Sequence, residues 1–215
     1  MNKRLIALLM MALLIMSVSL CACGAKEEAP AEEPQQEEET TSEGEGEEFP
    51  GAAYGYAGND PLELEAYRYF VETVSKNFDK ADVSIPTVNI FNVDYTDPDD
   101  VLVRGDFSID NYNIEGDTLK AVSGGNFPGV IHMKQDGDKY TATGMDFTED
   151  GSDFDESAKK LFGDYYEDFI KIHSDDDARN ELRKVTVSDY VNMNGLDKII
   201  QFQDEGWDPV ELYKN

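Results

Sequence analysis

Few residues in this chain have the types and spacing that chemistry needs. His132 and His173 are its two histidines, and neither has a second histidine or a cysteine nearby, so no zinc-ligand spacing exists. His132 alternates with apolar Ile131 and Met133, which on a strand turns it towards solvent. His173 falls at the end of a helical pattern, where a cation complements the helix dipole. Ser123 stands beside Gly124 and Gly125 without the strand–turn–helix setting of an activated nucleophile, and the stretch reads as a loop. Carboxylates are abundant: 46 Asp and Glu allow many pairings of the kind used in glycoside cleavage, and the sequence selects none.

Hard-cation binding has a more definite pattern. Asp146-x-Thr148-x-Asp150-Gly151 copies the opening of a calcium loop, in which alternate oxygens converge on the ion. The copy then fails, because Ser157 occupies the twelfth position and Glu156 falls one place early; Asp153 and Glu156 read as helix caps. Asp97, Asp99 and Asp100 form a second acidic turn around Pro98. Asp97, Asp99, Asp100, Asp146 and Asp150 are thus the candidate ligands of a weakly held calcium, and no other cofactor is expected. Among the aromatics, Tyr166 and Trp207 are the candidates for a sugar- or peptide-binding surface. Tyr165 belongs to a core stripe, and Trp207, after Gly206 near the C-terminus, alternatively clamps the tail.

The charge balance restricts the partners. Against the 46 acidic side chains stand 18 basic ones, for a formal net charge of −28 over 215 residues. Nucleic-acid binding needs a basic footprint to neutralise phosphates, so that class is excluded. Docking on anionic lipid through protein charge is excluded for the same reason.

Lys3 and Arg4 precede an apolar run from Leu5 to Leu20, broken only by Ser17 and Ser19. A basic start followed by such a run is a signal-peptide pattern, and the run is shorter than the roughly 20 residues that span a bilayer. Leu20-Cys21-Ala22-Cys23-Gly24 then resembles the lipobox of bacterial lipoproteins, with Leu20 three places before Cys23 and small Ala22 directly before it. Cys21 fits less well, since bulky Leu20 would precede the cut. The resemblance implies cleavage before Cys23 and diacylglycerol on its thiol. Two acyl chains suffice for stable anchoring at roughly 0.8 kcal/mol per buried methylene. The chain then divides into a leader over 1–22, the lipidated Cys23 with an acidic tether over 23–48, and one domain over 49–215. The tether segment Lys26–Glu48 holds 11 Glu and no aromatic residue. It cannot bury enough apolar surface to offset its ordering entropy, and it extends by self-repulsion, a coil of that length already reaching roughly 25 Å. With both cysteines in the leader region, the domain has none for a disulfide and depends on its core.

The domain itself reads as α+β. Tyr54 and Tyr56 lie in an irregular lead-in. Asp60-Pro61-Leu62-Glu63 is a helix start, and Tyr67, Phe70, Val71, Val74 and Phe78 continue it to about 78; Asp79 to Pro86 breaks it. From Thr87 the apolar period changes to two. Five or six strands follow, separated by turns such as Asp136-Gly137-Asp138. Asp153 opens a second helix with an apolar stripe from Ala158 to Ile172. Ser174 opens a third that ends at Asn194-Gly195, with Leu182 and Val185 as its firmest apolar members. Lys198–Gln203 reads as a last strand. The expected architecture is an antiparallel sheet of five or six strands, one face covered by an N-terminal helix and two C-terminal helices. This element order resembles the nuclear-transport-factor-2-like and cystatin-like superfolds, in which a curved sheet wraps a helix, although two helices after the sheet depart from it.

The expected function is a membrane-anchored extracytoplasmic lipoprotein whose non-catalytic domain binds a ligand or a protein partner. The alternatives are a carboxylate-based hydrolase acting on cell-wall or dietary carbohydrate and a structural envelope protein. Cys23→Ala is expected to move the protein from the membrane fraction into the medium; continued sedimentation with membranes after that substitution would refute the anchor.

Overall fold

The computed structural model describes residues 56–214. The leader, Cys23, the tether and residues 49–55 of the lead-in lie outside the described residues. The first helix, α1 (Pro61–Tyr69), is capped as its sequence dictates: the Asp60 side chain accepts from the Leu62 N–H at 2.8 Å, with Pro61 at the first helical position. It continues through a π-turn over Phe70–Val74 and a 3₁₀ turn over Ser75–Asn77. The lead-in ends against it, with the Tyr56 hydroxyl donating to Glu63 and its ring 6.4 Å from that of Tyr67.

Five strands come next: β1 (Val83–Asp94), β2 (Val101–Glu115), β3 (Thr118–Asn126), β4 (Gly129–Asp136) and β5 (Lys139–Phe147). β1 begins four residues earlier than the sequence pattern suggests and runs through Pro86. β1 pairs only with β2, and an edge strand tolerates a missing N–H. Gly137, at φ 62°, closes the β4–β5 hairpin in the left-handed region that an Asp-Gly turn supplies. Ser123–Gly125 is not the expected loop but part of β3, paired with Asn111, Asp110 and Ile109 of β2.

Helix α2 (Phe154–Phe162) starts after Asp153, whose side chain makes no capping hydrogen bond, contrary to the capping box expected there. The stripe from Ala158 to Ile172 is not one helix. Gly163, at φ 54°, and a 3₁₀ turn through Tyr165 divide it into α2 and α3 (Tyr166–His173). α4 (Asp176–Met193) is capped by Asp175, which accepts from Ala178 N–H at 3.0 Å. Two short strands finish the chain, β6 (Gln201–Gln203) and β7 (Val210–Glu211).

The result is an α+β fold with a seven-stranded sheet. The sheet is mixed and not wholly antiparallel, because β6 adds to β3 in parallel, with Leu119 opposite Phe202. β2 is its axis. One edge pairs with β1 along the strand; the other pairs with β4 over Val101–Gly105 and with β3 from Ser108 to Glu115. The helices do not share one face. Odd-numbered Val101, Val103, Phe107 and Ile109 of β2 pack on Leu62, Ala66, Phe70 and Val74 of the first helix. The alternate side chains point to the opposite face. There Leu102 joins Phe162 and Phe169 of α2 and α3, while Tyr112 joins Val187, Tyr190 and Val191 of α4. Glu65, buried on α1, accepts the Ala142 N–H at 2.6 Å and so fastens the helix to β5. None of the helices among the described residues is long and apolar enough to cross a membrane.

Phe169 is the centre of the smaller core, fully buried, with the Phe162 ring 4.4 Å and the His173 ring 4.9 Å away. Phe169→Ala is expected to cost about 3–5 kcal/mol of stability, read from urea unfolding; a loss below about 1 kcal/mol would show that α2 and α3 do not depend on it.

Candidate functional site

Between the two apolar clusters on the face covered by α2, α3 and α4, β2 carries a polar row: Arg104, Asp106, Ser108 and Asp110. The N-terminal half of α4 passes over this row and encloses a cavity of about 290 Å³ lined by residues of β1, β2, β3 and α4. Thr87 and Asn89 of β1 stand in register with Ser108 and Asp106 and complete the floor. This position explains why Leu182 is only half buried and Val185 about one-third exposed, against the expectation that they lead the apolar face of α4. The buried members begin at Val187, where the helix meets the core.

Two arginines at helical spacing, Arg179 and Arg183, form the roof. The Asp106 side chain is 3% exposed, and its Oδ2 receives both Arg179 Nε and His173 Nδ1 at 3.2 Å. His173 also stacks on Phe154 with ring centroids 5.1 Å apart. Its place at a helix C-terminus is as expected, and it meets the cavity only through its contact with Asp106. Arg179 Nη1 donates to the His173 carbonyl at 3.3 Å. Arg183 Nε reaches Asp110 Oδ2 at 2.9 Å, and Arg183 grips Asp204 with both terminal nitrogens at 2.8 and 2.7 Å. It also donates to the Tyr112 hydroxyl at 2.9 Å and lies 4.8 Å over the Phe202 ring.

Burial pushes the Asp110 carboxyl above the ordinary aspartate range, and Arg183 partly offsets this. Hydrogen bonds from Arg183 hold the Asp204 carboxyl below that range. Burial opposes the Arg183 charge, but Asp204, Tyr112 and Asp110 together raise its pKa above the usual guanidinium value. Two residues that line the cavity, Asp106 and Thr87, each bury one oxygen without a hydrogen-bond partner, Oδ1 and Oγ1, and neither atom is accessible to water from the cavity.

None of the site candidates singled out by sequence lines this cavity; His173 touches it only through Asp106. Asp97 Oδ1 accepts the Asp99 N–H at 2.9 Å within the β1–β2 turn, and Asp99 pairs with Lys134 at 2.8 Å. The fold does bring Asp100 and Asp146 together on either side of His132, at 2.8 and 3.4 Å; that histidine is partly exposed between the buried Ile131 and Met133. Asp150 stands apart, before the 3₁₀ turn that precedes α2. No group of three or more His, Cys, Asp or Glu side chains arranged for a metal occurs among the described residues. Tyr166 donates its hydroxyl to Asp155 under Lys159 and lines neither this cavity nor the next. Trp207 does not clamp the tail: it is 75% exposed, at the rim of a second, larger cavity of about 520 Å³ that shares Asn180 and Arg183 with the first. Tyr165 lies half buried with the Arg104 guanidinium 4.8 Å over its ring.

The residues missed were Asp106, Asp110, Arg179 and Arg183. Their signal was present as Asp-x-Ser-x-Asp on alternate positions of one strand together with two of the domain's scarce basic residues four apart on a helix. Polar alternation on a strand reads as a solvent face, and only the crossing of α4 over it makes a cavity. Comparison with family models, with curated proteins and with solved structures finds no match to this chain.

Removing Arg183 leaves Asp110 buried without its cation, so Arg183→Met is expected to cost about 3–5 kcal/mol near pH 7. A raised carboxyl pKa favours the folded state below the ordinary aspartate value, and that advantage is lost as pH rises through the folded value. Without Arg183 the Asp110 pKa rises further, and the opposite contribution of Asp204, lost on acidification, disappears. Urea unfolding at about pH 4.5 and pH 7 should therefore show the gap between wild type and Arg183→Met narrowing in acid. A gap independent of pH would contradict the assignment.

Proposed function

We propose that this chain is a lipid-anchored extracytoplasmic binding protein whose domain holds a small polar ligand in the cavity between α4 and the sheet. The observation that carries the reading is the cavity's lining: Arg179 and Arg183, ion-paired to Asp106 and Asp110, over a polar floor that includes Thr87, Asn89 and Ser108. The anchor rests on the Leu20–Cys23 pattern and the acidic spacer, which would hold the domain clear of an anionic membrane surface.

Binding is favoured over hydrolysis by the state of the carboxylates. Asp106 and Asp110 are four residues apart on one strand face, which sets their Cα atoms roughly 13 Å apart. Glycoside cleavage uses carboxyl groups about 5–9.5 Å apart. Each is held by its own arginine, an arrangement that fixes a wall and leaves neither free to shuttle a proton.

Asn180 is exposed at the rim of both cavities, so Asn180→Trp should obstruct them without disturbing the core. In a thermal-shift screen of small polar metabolites on the full chain, at least one compound should raise the melting temperature of the wild type. At a hundredfold excess over Kd the rise is about 2.7 kcal/mol, or roughly 5–10 °C, and Asn180→Trp should abolish it. A stabilising compound that acts equally on both proteins would place its site elsewhere.

A further inference from the structure

We propose that the ligand is a neutral carbohydrate, with one sugar ring seated in the cavity under α4 and the next stacked on Trp207. The inference deepens the binding reading above and rests on it. The charges of the lining are already balanced. Arg179 is held between Asp106 and Asp176, and Arg183 between Asp110 and Asp204. An anion would have to draw a guanidinium away from those partners, and a cation would have to sit against two guanidinium groups. A neutral ligand disturbs neither pair. The side chains left free are neutral as well: Asn89, Ser108, Asn126 and Asn180 line the cavity and hydrogen-bond nothing in the fold. A carboxamide both donates and accepts, and so does a hydroxyl. Sugar hydroxyls have the same double character, so each can meet one of these groups with both roles used. The free Nη2 of Arg179 adds a donor from the roof.

Position agrees with this. Asn126 of β3 lies directly opposite Ser108 of β2, and Asn89 of β1 lies opposite Asp106, diagonal to Ser108. Such neighbours are roughly 5 Å and 7–8 Å apart, which spreads the three floor groups over the width of one sugar ring. The volume, about 290 Å³, is at the small end for ligand sites and suits a single ring with its hydroxyls. The second observation is Trp207, the chain's one tryptophan. It stands 75% exposed beside the second cavity, which adjoins the first at Asn180 and Arg183. Its backbone is fixed: its N–H donates to the Asp204 carbonyl at 3.2 Å, and its carbonyl accepts from Gln203 Nε2 at 2.6 Å. Asp204 is itself gripped by Arg183. A large apolar ring on a fixed backbone, open to solvent next to a polar cavity, is a platform. Its electron-rich face attracts the C–H face of a sugar ring, while the hydroxyls at the ring's edge stay free to hydrogen-bond.

Probing the full chain against an array of neutral, acidic and amino-sugar oligosaccharides tests this. Neutral glycans are expected to bind, and Asn180→Trp to abolish their binding. Titration calorimetry with the best-bound free oligosaccharide should find Trp207→Ala about tenfold weaker and Asn89→Ala about three- to tenfold weaker than wild type. Neither side chain hydrogen-bonds within the fold, so both variants should keep the wild-type melting temperature. The emission of the lone tryptophan should shift as the sugar stacks on it. Preference for acidic or amino sugars, or neutral binding that neither variant weakens, would overturn the proposal. A blank array, with a neutral peptide or another compound from the thermal-shift screen still blocked by Asn180→Trp, would overturn the carbohydrate class and leave the binding reading standing. A blank array together with a blank screen would overturn both.

Discussion

The guanidinium of Arg183 is the constraint on which the arrangement of this domain depends. It is mostly buried and reaches three side chains in two separate parts of the chain at once: Asp110 and Tyr112 on the central strand and Asp204 after β6. A charge with that little water is stable only when its partners are fixed around it, and here they fix α4 across the sheet at one height. The aromatic faces of Phe202 and Tyr112 beneath it supply further attraction for a cation. If the helix tilted, the charge would lose partners from two directions. The roof of the cavity is therefore held by electrostatics at the point where apolar packing gives out.

Apolar packing gives out there because of the order of residues on β2. Along the face covered by α2, α3 and α4 the sequence runs Leu102, then Arg104, Asp106, Ser108 and Asp110, then Tyr112. Leu102 and Tyr112 each belong to a separate core cluster, one under α2 and α3 and the other under α4. The opposite face has no such gap; Val101, Val103, Phe107 and Ile109 form one continuous contact with the first helix. One strand thus stabilises the domain through its odd positions and forms the site through its even ones. The division of labour follows from the two-residue period of a strand.

The local elements were legible because local chemistry specifies them. Asp60-Pro61 begins α1, Asp136-Gly137 turns the hairpin, Asp175 caps α4, and Gly195 follows its end. What could not be read was relative placement. The stripe from Ala158 to Ile172 has helical period throughout, and only the positive φ of Gly163 reveals the break that lets α2 and α3 pack as separate pieces. The distribution of helices over two faces depends on long-range burial, and so does the cavity. Asp106 and Arg179 are far apart in sequence, and nothing near either one indicates the other. The acidic turns drew attention because their residues are adjacent; the fold instead pairs Asp99 with Lys134 and sets Asp100 and Asp146 around His132.

The parallel pairing of β3 with β6 has a consequence for how the chain reaches this state. Gln201 meets Thr118 across 83 residues, and the core beneath α4 also needs Phe202 and Leu212. A ribosome that has released everything up to the end of α4 has made a sheet with its face still open. Closure of that loop must wait for the strand that follows α4, a long-range pairing of the kind that slows folding.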